Sequence, residues 1–218
     1  MFGKRRRVLI CLPLALGLLS SWAATGTGDE WKSLFDGKQL GTWKVATRFD
    51  FINHGEVEVK DGNLVLGTGR PGTGVCYQGK FPKIDYEVEL EAMRVEGDDF
   101  FCAMTFPVGG RAQSLIVGGW GGPVVGLSCI DDEPAAENET CQYIEFEKKK
   151  WYKIRLRVTE PKIEAWIDGK QVVDFEIGDH KLTIWFEQEA MLPLGIATWR
   201  TTGALRNIRL RSAEVQKE

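Results

Sequence analysis

Carboxylates spaced two apart are the most frequent reactive pattern in this 218-residue chain. Glu56/Glu58, Glu87/Glu89/Glu91, Glu145/Glu147 and Glu187/Glu189 all repeat it. On a strand, that spacing sets side chains on one face, about 7 Å apart. Two carboxyl groups at that range suit acid–base work on a bond between them. An alternating acidic strand is otherwise a solvated face. Glu145 and Glu147 are favoured as catalytic candidates because they follow a polar loop and sit near Tyr143. His54, in Asn53-His54-Gly55, is a candidate base or ligand as well as a plain turn residue, and His180 reads as a turn residue. Two histidines in all argue against a Ser-His-Asp triad or a histidine-rich metal site. Asp131-Asp132-Glu133 could offer hard oxygens to calcium or form a charged loop tip. No Cys-x-x-Cys or Cys/His spacing marks a zinc site, and the expectation is no cofactor and no metal.

Residues 118–122 read Gly-Gly-Trp-Gly-Gly. Glycines on both sides of Trp120 either clear the approach of a ligand to the indole or mark a sharp bend. Trp199-Arg200 poses the same question, and Arg111 is a further side chain able to donate hydrogen bonds to hydroxyls.

Strands and turns must position these residues. Glu56–Lys60 alternates, Asp61-Gly62 turns, and Asn63–Leu66 returns. Ile163–Ile167, Asp168-Gly169 and Gln171–Phe175 repeat the scheme, and Asp-Gly between alternating runs is a strong hairpin signal. Ile84–Glu91, Lys153–Val158 and Leu205–Leu210 alternate with one wet face, while Phe100–Phe106 is apolar on both faces and suits an inner strand. No stretch after residue 24 has helical periodicity. Turn signals about every ten residues predict an all-β fold, an antiparallel two-sheet jelly-roll sandwich.

Lys4–Arg7 precedes an apolar run, Val8–Leu19, and small residues flank Trp22, the pattern of a secretory signal peptide. The chain is therefore expected to comprise a signal peptide at 1–24 and a single β-sandwich domain at 25–218, with its core at about 30–212, and to be secreted or periplasmic. Losing the leader removes four basic residues and no acidic one, which moves the formal charge from −3 to −7. An acidic exported chain is a poor match for nucleic acid or, once cleaved, for anionic membranes. Cys76, Cys102, Cys129 and Cys141 remain. Export permits bridges Cys129–Cys141 and Cys76–Cys102, with four free thiols as the alternative. Asn138-Glu139-Thr140 has the form of a glycosylation sequon.

The ends of the domain carry a resemblance. Trp31-Lys32-Ser33-Leu34-Phe35-Asp36-Gly37, then Val57–Leu64, then Pro193–Ala197 and Leu205–Leu210 follow one another in an order that resembles the secreted 3-keto-disaccharide hydrolase domain family, a relative of concanavalin A-like lectins and glucanases. The resemblance spans roughly residues 30–212. It implies a concanavalin A-like jelly roll with a carbohydrate or keto-sugar ligand on its concave sheet, Trp120 and Trp199 stacking on a pyranose, and Arg111 and Arg200 bonding hydroxyls. It also implies cleavage by removal of a proton beside the ketone. The centre differs from the family pattern: Gly97–Phe101 and Arg111–Ile116 stand where Asn-Ser-Gly and Glu-x-Gln-x-x-Asp stretches are common, and Thr198–Gly203 stands in place of a histidine-bearing loop. A non-catalytic carbohydrate-binding or interaction module on the same fold is the alternative reading.

Overall fold

The structure, a computed structural model, describes residues 30–213; the predicted signal peptide lies outside the described residues. Fifteen strands follow in chain order: β1 (Lys32–Ser33), β2 (Trp43–Val45), β3 (Val57–Lys60), β4 (Asn63–Leu66), β5 (Gly72–Tyr77), β6 (Tyr86–Glu96), β7 (Cys102–Val108), β8 (Arg111–Gly119), β9 (Val124–Ser128), β10 (Gln142–Tyr143), β11 (Trp151–Val158), β12 (Lys162–Ile167), β13 (Lys170–Glu176), β14 (Leu194–Trp199) and β15 (Thr202–Ser212). The only helical pieces among the described residues are two 3-10 segments, Phe49–Phe51 and Phe186–Met191. One sheet runs β13-β12-β11-β6-β15-β4-β3, with β1 added to β15; the other runs β10-β9-β8-β7-β14-β5-β2. Every pairing is antiparallel, and the two sheets pack as the predicted jelly-roll sandwich.

Both Asp-Gly hairpins form as the sequence predicts. Asp61 and Gly62 have φ of 51° and 79°, and Asp168 and Gly169 of 50° and 81°, the positive values that a two-residue turn of matching twist demands. β6 shows how alternation builds the core. Tyr86, Val88, Leu90 and Ala92 face the second sheet and are fully buried, while Glu87, Glu89 and Glu91 point outward.

Those outward carboxylates are not a solvated face. Glu87 and Glu89 are only 6% and 7% exposed, because β11 and β15 flank them with cations. Glu87 lies opposite Arg157 and Arg211, Glu89 opposite Arg155 and Arg209, and Glu91 opposite Lys153 on β11 and Arg206 on β15. Arg211 meets Glu87 at 2.9 Å, Lys153 meets Glu89 at 3.0 Å, and Arg209 also bonds Glu89. Indoles cover the ladder: Arg155 lies 4.0 Å over Trp166 and Arg206 lies 4.1 Å over Trp151. This acidic triplet is thus structural, knitting three strands by cross-strand pairs.

The expected disulfides are absent, and the four cysteines among the described residues are free thiols. Cys76 lies opposite Gly195 and so in the row of Thr105, on the outer face of the second sheet, whereas Cys102 belongs to the core between the sheets. β14 also separates their strands. Cys76 is fixed instead by the Leu192 carbonyl at 2.8 Å, and burial pushes the Cys102 thiol up to about 12. Asn138 of the sequon is buried, and its amide donates to the carbonyls of Leu127, Glu133 and Pro134. It is a loop anchor with no free amide to glycosylate.

Candidate functional site

The second sheet turns its outer face toward a cleft, and small residues make the floor. Register sets Gly126, Ile116, Ala103, Ala197 and Gly74 in one row across five strands, with Ser128, Ser114, Thr105 and Gly195 in the next. The two 3-10 segments lie over this floor. A Cβ on Gly74 would sit 2.7 Å from the Met191 Cε, and one on Gly195 would sit 2.5 Å from the Met191 carbonyl oxygen. Glycine is required at Gly195, where the strap's backbone crosses so close to the sheet, while at Gly74 the close atom is the movable end of the Met191 side chain. Phe49 and Phe186 then meet edge to face at 5.3 Å and join the two straps.

What the straps leave open is a cleft of about 350 Å³. Its walls include the indoles Trp120, Trp185 and Trp199, with Phe100 beside Trp199 at 5.8 Å between ring centroids. Asp50, Asp99 and Glu187 bring three half-buried carboxylates to the same lining. Trp120 and Trp185 are 46% and 49% exposed, a large apolar area held open to solvent. Clefts of this kind, apolar with a few convergent polar groups, are where small ligands bind.

Three of the four glycines around Trp120 now have physical reasons. The β8–β9 hairpin turns through Trp120 and Gly121, with φ of 49° and 81°, and the Gly122 N–H closes it on the Gly119 carbonyl at 3.1 Å. Gly118 and Gly122 also have positive φ, 81° and 122°. Beneath them lies Arg94. Its Nη2 donates to the carbonyls of Gly118 (3.1 Å) and Gly122 (2.9 Å), Nη1 to that of Phe146 (3.4 Å), and Nε to that of Asp99 (3.3 Å). A Cβ on Gly118 would lie 2.5 Å from that guanidinium. The turn is thus both bent and pinned, and the indole is pushed outward to the cleft. Burial draws the Arg94 pKa below the usual arginine value, while the carboxylates of Asp99 and Asp98 oppose that shift. One cation therefore holds two elements of the site, the Trp120 turn and the Asp99 loop.

Of the sequence candidates, Trp120 and Trp199 meet in this cleft. Arg200 sits just beyond it, in a shallow depression shared with Trp199 and Asp50. Arg111 lies elsewhere and donates to the His180 carbonyl at 3.1 Å. Glu145 and Glu147 are exposed on the segment after β10, outside the cleft lining, and Glu147 pairs with Lys150 at 2.6 Å. His54 is exposed, its Nδ1 2.7 Å from the Gly55 carbonyl. The strand spacing of Glu145 and Glu147 does not apply because no strand forms there. Residues the candidates omit are Asp50, Asp99, Trp185 and Arg94, whereas Glu187, one of the carboxylates spaced two apart, does line the cleft. Of the omitted residues only Arg94 left a signal, a basic residue in phase with the buried positions Val88, Leu90 and Ala92.

Asp131 and Asp132 are occupied by cations of the chain itself. Asp131 binds the His180 Nδ1 at 2.6 Å and Asp132 binds the Lys181 Nζ at 2.7 Å. The hydrogen bond that the His180 Nδ1–H donates to Asp131, with the charges of Asp131, Glu139 and Asp179, raises the His180 pKa against desolvation, and Asp131 is lowered in return. A histidine raised on folding stabilises below its unfolded pKa, and that stabilisation disappears as pH rises through the folded value. The His180 titration followed by NMR is expected to have its midpoint above 6.5, and Asp131→Asn should bring it back toward that value. A midpoint unmoved by Asp131→Asn would refute the pairing.

A family model described as the 3-keto-alpha-glucoside-1,2-lyase-like domain matches residues 30–211. The chain belongs to this family. Membership in the 3-keto-alpha-glucoside-1,2-lyase-like domain family makes it a carbohydrate-related domain. No curated protein matches it significantly. Solved structures share the fold at low identity. A protein of unknown function with galectin-like fold from Bacillus subtilis has TM-score 0.58 at 9% identity, covering 87% of this chain and 98% of that one. The carbohydrate binding module CBM66 from Bacillus subtilis has TM-score 0.53 at 11% identity, covering 78% and 96%. The Crh5 transglycosylase in complex with NAG has TM-score 0.54 at 10% identity, covering 85% and 84%.

Proposed function

We propose that the cleft binds a 3-keto-glycoside and cleaves it by elimination, in an exported protein. The observation that carries this reading is the meeting of three indoles with three half-buried carboxylates on the outer face of one sheet. Indoles stack on the apolar face of a pyranose, and a carboxylate is the base the chemistry needs. The ketone acidifies the hydrogen on the carbon between it and the anomeric centre. A carboxylate takes that proton, the C–H electron pair becomes the new carbon–carbon double bond, and the glycosidic C–O bond breaks. The leaving oxygen departs with its bonding pair and is protonated by an acid or water. Water then adds to the unsaturated ketone.

The enolate oxygen needs a donor. Gln188 is suited to supply one: its Oε1 accepts from the Ser114 hydroxyl, which leaves the amide N–H groups for a ligand oxygen. Asp99 is the best-held base. Thr201 Oγ1 accepts from its backbone N–H at 3.1 Å and donates to its carbonyl at 3.2 Å, and Arg94 donates to the same carbonyl. A binding module without catalysis is favoured by one observation: none of the three carboxylates is fully buried. Export is supported by the basic-then-apolar leader of residues 4–19.

The test incubates the protein lacking residues 1–24 with a 3-keto-disaccharide and, in parallel, with its unoxidised parent, and follows free sugar. Release from the keto form alone is expected. No release from a folded protein that still binds the keto-sugar would leave the binding module.

A further inference from the structure

We propose that the sugar ligand of this cleft carries an anionic group, a carboxylate or a phosphate ester, seated between Arg70 and Arg200. The proposal rests on the reading of the cleft as a sugar site and extends it to the ligand's charge. Beyond Trp199 and Asp50 the cleft continues into a shallow depression of about 640 Å³ lined by Thr68, Gly69, Arg70, Pro71 and Arg200. Trp199 and Asp50 line both spaces, so a ligand stacked on Trp199 reaches either.

The two arginines come from different elements, and the backbone fixes both. Arg200 has φ of +48° in the turn between β14 and β15, and its N–H donates to the Pro71 carbonyl at 2.8 Å. The Arg70 N–H donates to the Asn53 carbonyl at 2.9 Å. Both side chains are exposed. Among the described residues neither guanidinium has a carboxylate or hydrogen-bond partner. That sets them apart from Arg206, Arg209 and Arg211 on the opposite sheet, each paired with a glutamate. Asp50 supplies one negative charge against two positive ones in the depression. Two unpaired guanidinium forks on fixed backbones match the planar oxygens of a carboxylate or phosphate, while the sugar ring lies on the indole. In a chain of net negative charge, this local excess of cations favours an anion at this point and not over the whole surface.

The test measures binding by calorimetry for three disaccharides of one skeleton: neutral, with a terminal uronic acid, and with a terminal phosphate ester. Tighter binding of at least one anionic form, by about tenfold at low salt and less at 1 M salt, is expected from two charge-assisted contacts. The form that gains more identifies the group. The double substitution Arg70→Gln/Arg200→Gln should bring the ratio of anionic to neutral affinity to within about twofold of one. Equal binding of all three sugars by the wild type would leave the sugar cleft standing and overturn the anionic site. A ratio unchanged by the double substitution would overturn it as well. Binding of none would remove the sugar reading and this proposal together.

Discussion

Arg94→Met is expected to be the most destabilising single substitution in the site. The guanidinium serves four carbonyl groups on three segments and is 5% exposed. Methionine keeps much of the volume but donates nothing, so those carbonyls face a dry interior unbonded. Each such group costs about 1–3 kcal/mol, and partial relaxation brings the expected loss to about 3–5 kcal/mol. For a domain of this size that lowers Tm by roughly 6–20 °C. Ligand affinity should fall as well, because the Trp120 turn and the Asp99 loop lose their common anchor. Arg94→Lys should recover only part, since one ammonium cannot span acceptors set around a planar fork. Thermal melts with titration of a keto-sugar check both effects. An Arg94→Met protein that melts within about 2 °C of wild type would show that the four bonds contribute nothing net.

Asp99→Asn is expected to abolish turnover while sparing the fold. The amide keeps the side chain's shape and its oxygen can still accept from the Phe100 N–H, now 2.7 Å from Asp99 Oδ1. It cannot take a proton, so the elimination rate should fall by about 10²–10⁴-fold. Affinity for the keto-sugar should hold within about threefold, because stacking on Trp120 and Trp199 is untouched. Glu187→Gln and Asp50→Asn, made in parallel, should each change the rate by less than about tenfold. A normal rate in Asp99→Asn with a large loss in either of the others would reassign the base. A loss of binding as large as the loss of rate would make Asp99 a ligand contact and not the base.

The position of Glu145 and Glu147 outside the cleft has a specific cause. Glu145 and Glu147 satisfy the two-residue spacing, but spacing acts only through a strand, and the backbone there forms none. Glu87, Glu89 and Glu91 do lie on a strand, yet β11 and β15 spend their cations on them. The carboxylates that reach the cleft are Asp50, Asp99 and Glu187, which are far apart in sequence and have no shared periodicity. The cysteines failed as a disulfide framework for a related reason. An even count cannot report that β14 separates two of the strands, or which side of a sheet each sulfur faces.

The sequence by itself determined what depends on neighbours along the chain. Alternation in β6, β11 and β15 assigned inner and outer faces. Asp61-Gly62 and Asp168-Gly169 set two hairpins, because positive φ is cheap there and the flanking strands must return. Gly-Gly-Trp-Gly-Gly announced a bend with an exposed indole, and the ends of the domain carried the family. Only the tertiary structure decided what depends on juxtaposition. It seated two straps on a glycine-lined sheet, brought Trp185 to Trp120 and Trp199, placed Arg94 under the indole turn, and set Arg70 and Arg200 in one depression with no carboxylate partner among the described residues. Those meetings join residues up to some 130 positions apart, and the free energy that selects them comes from closing both sheets around the inner core and from a second apolar cluster, with Phe51, Ile116 and Met191, under the straps, which no local pattern records.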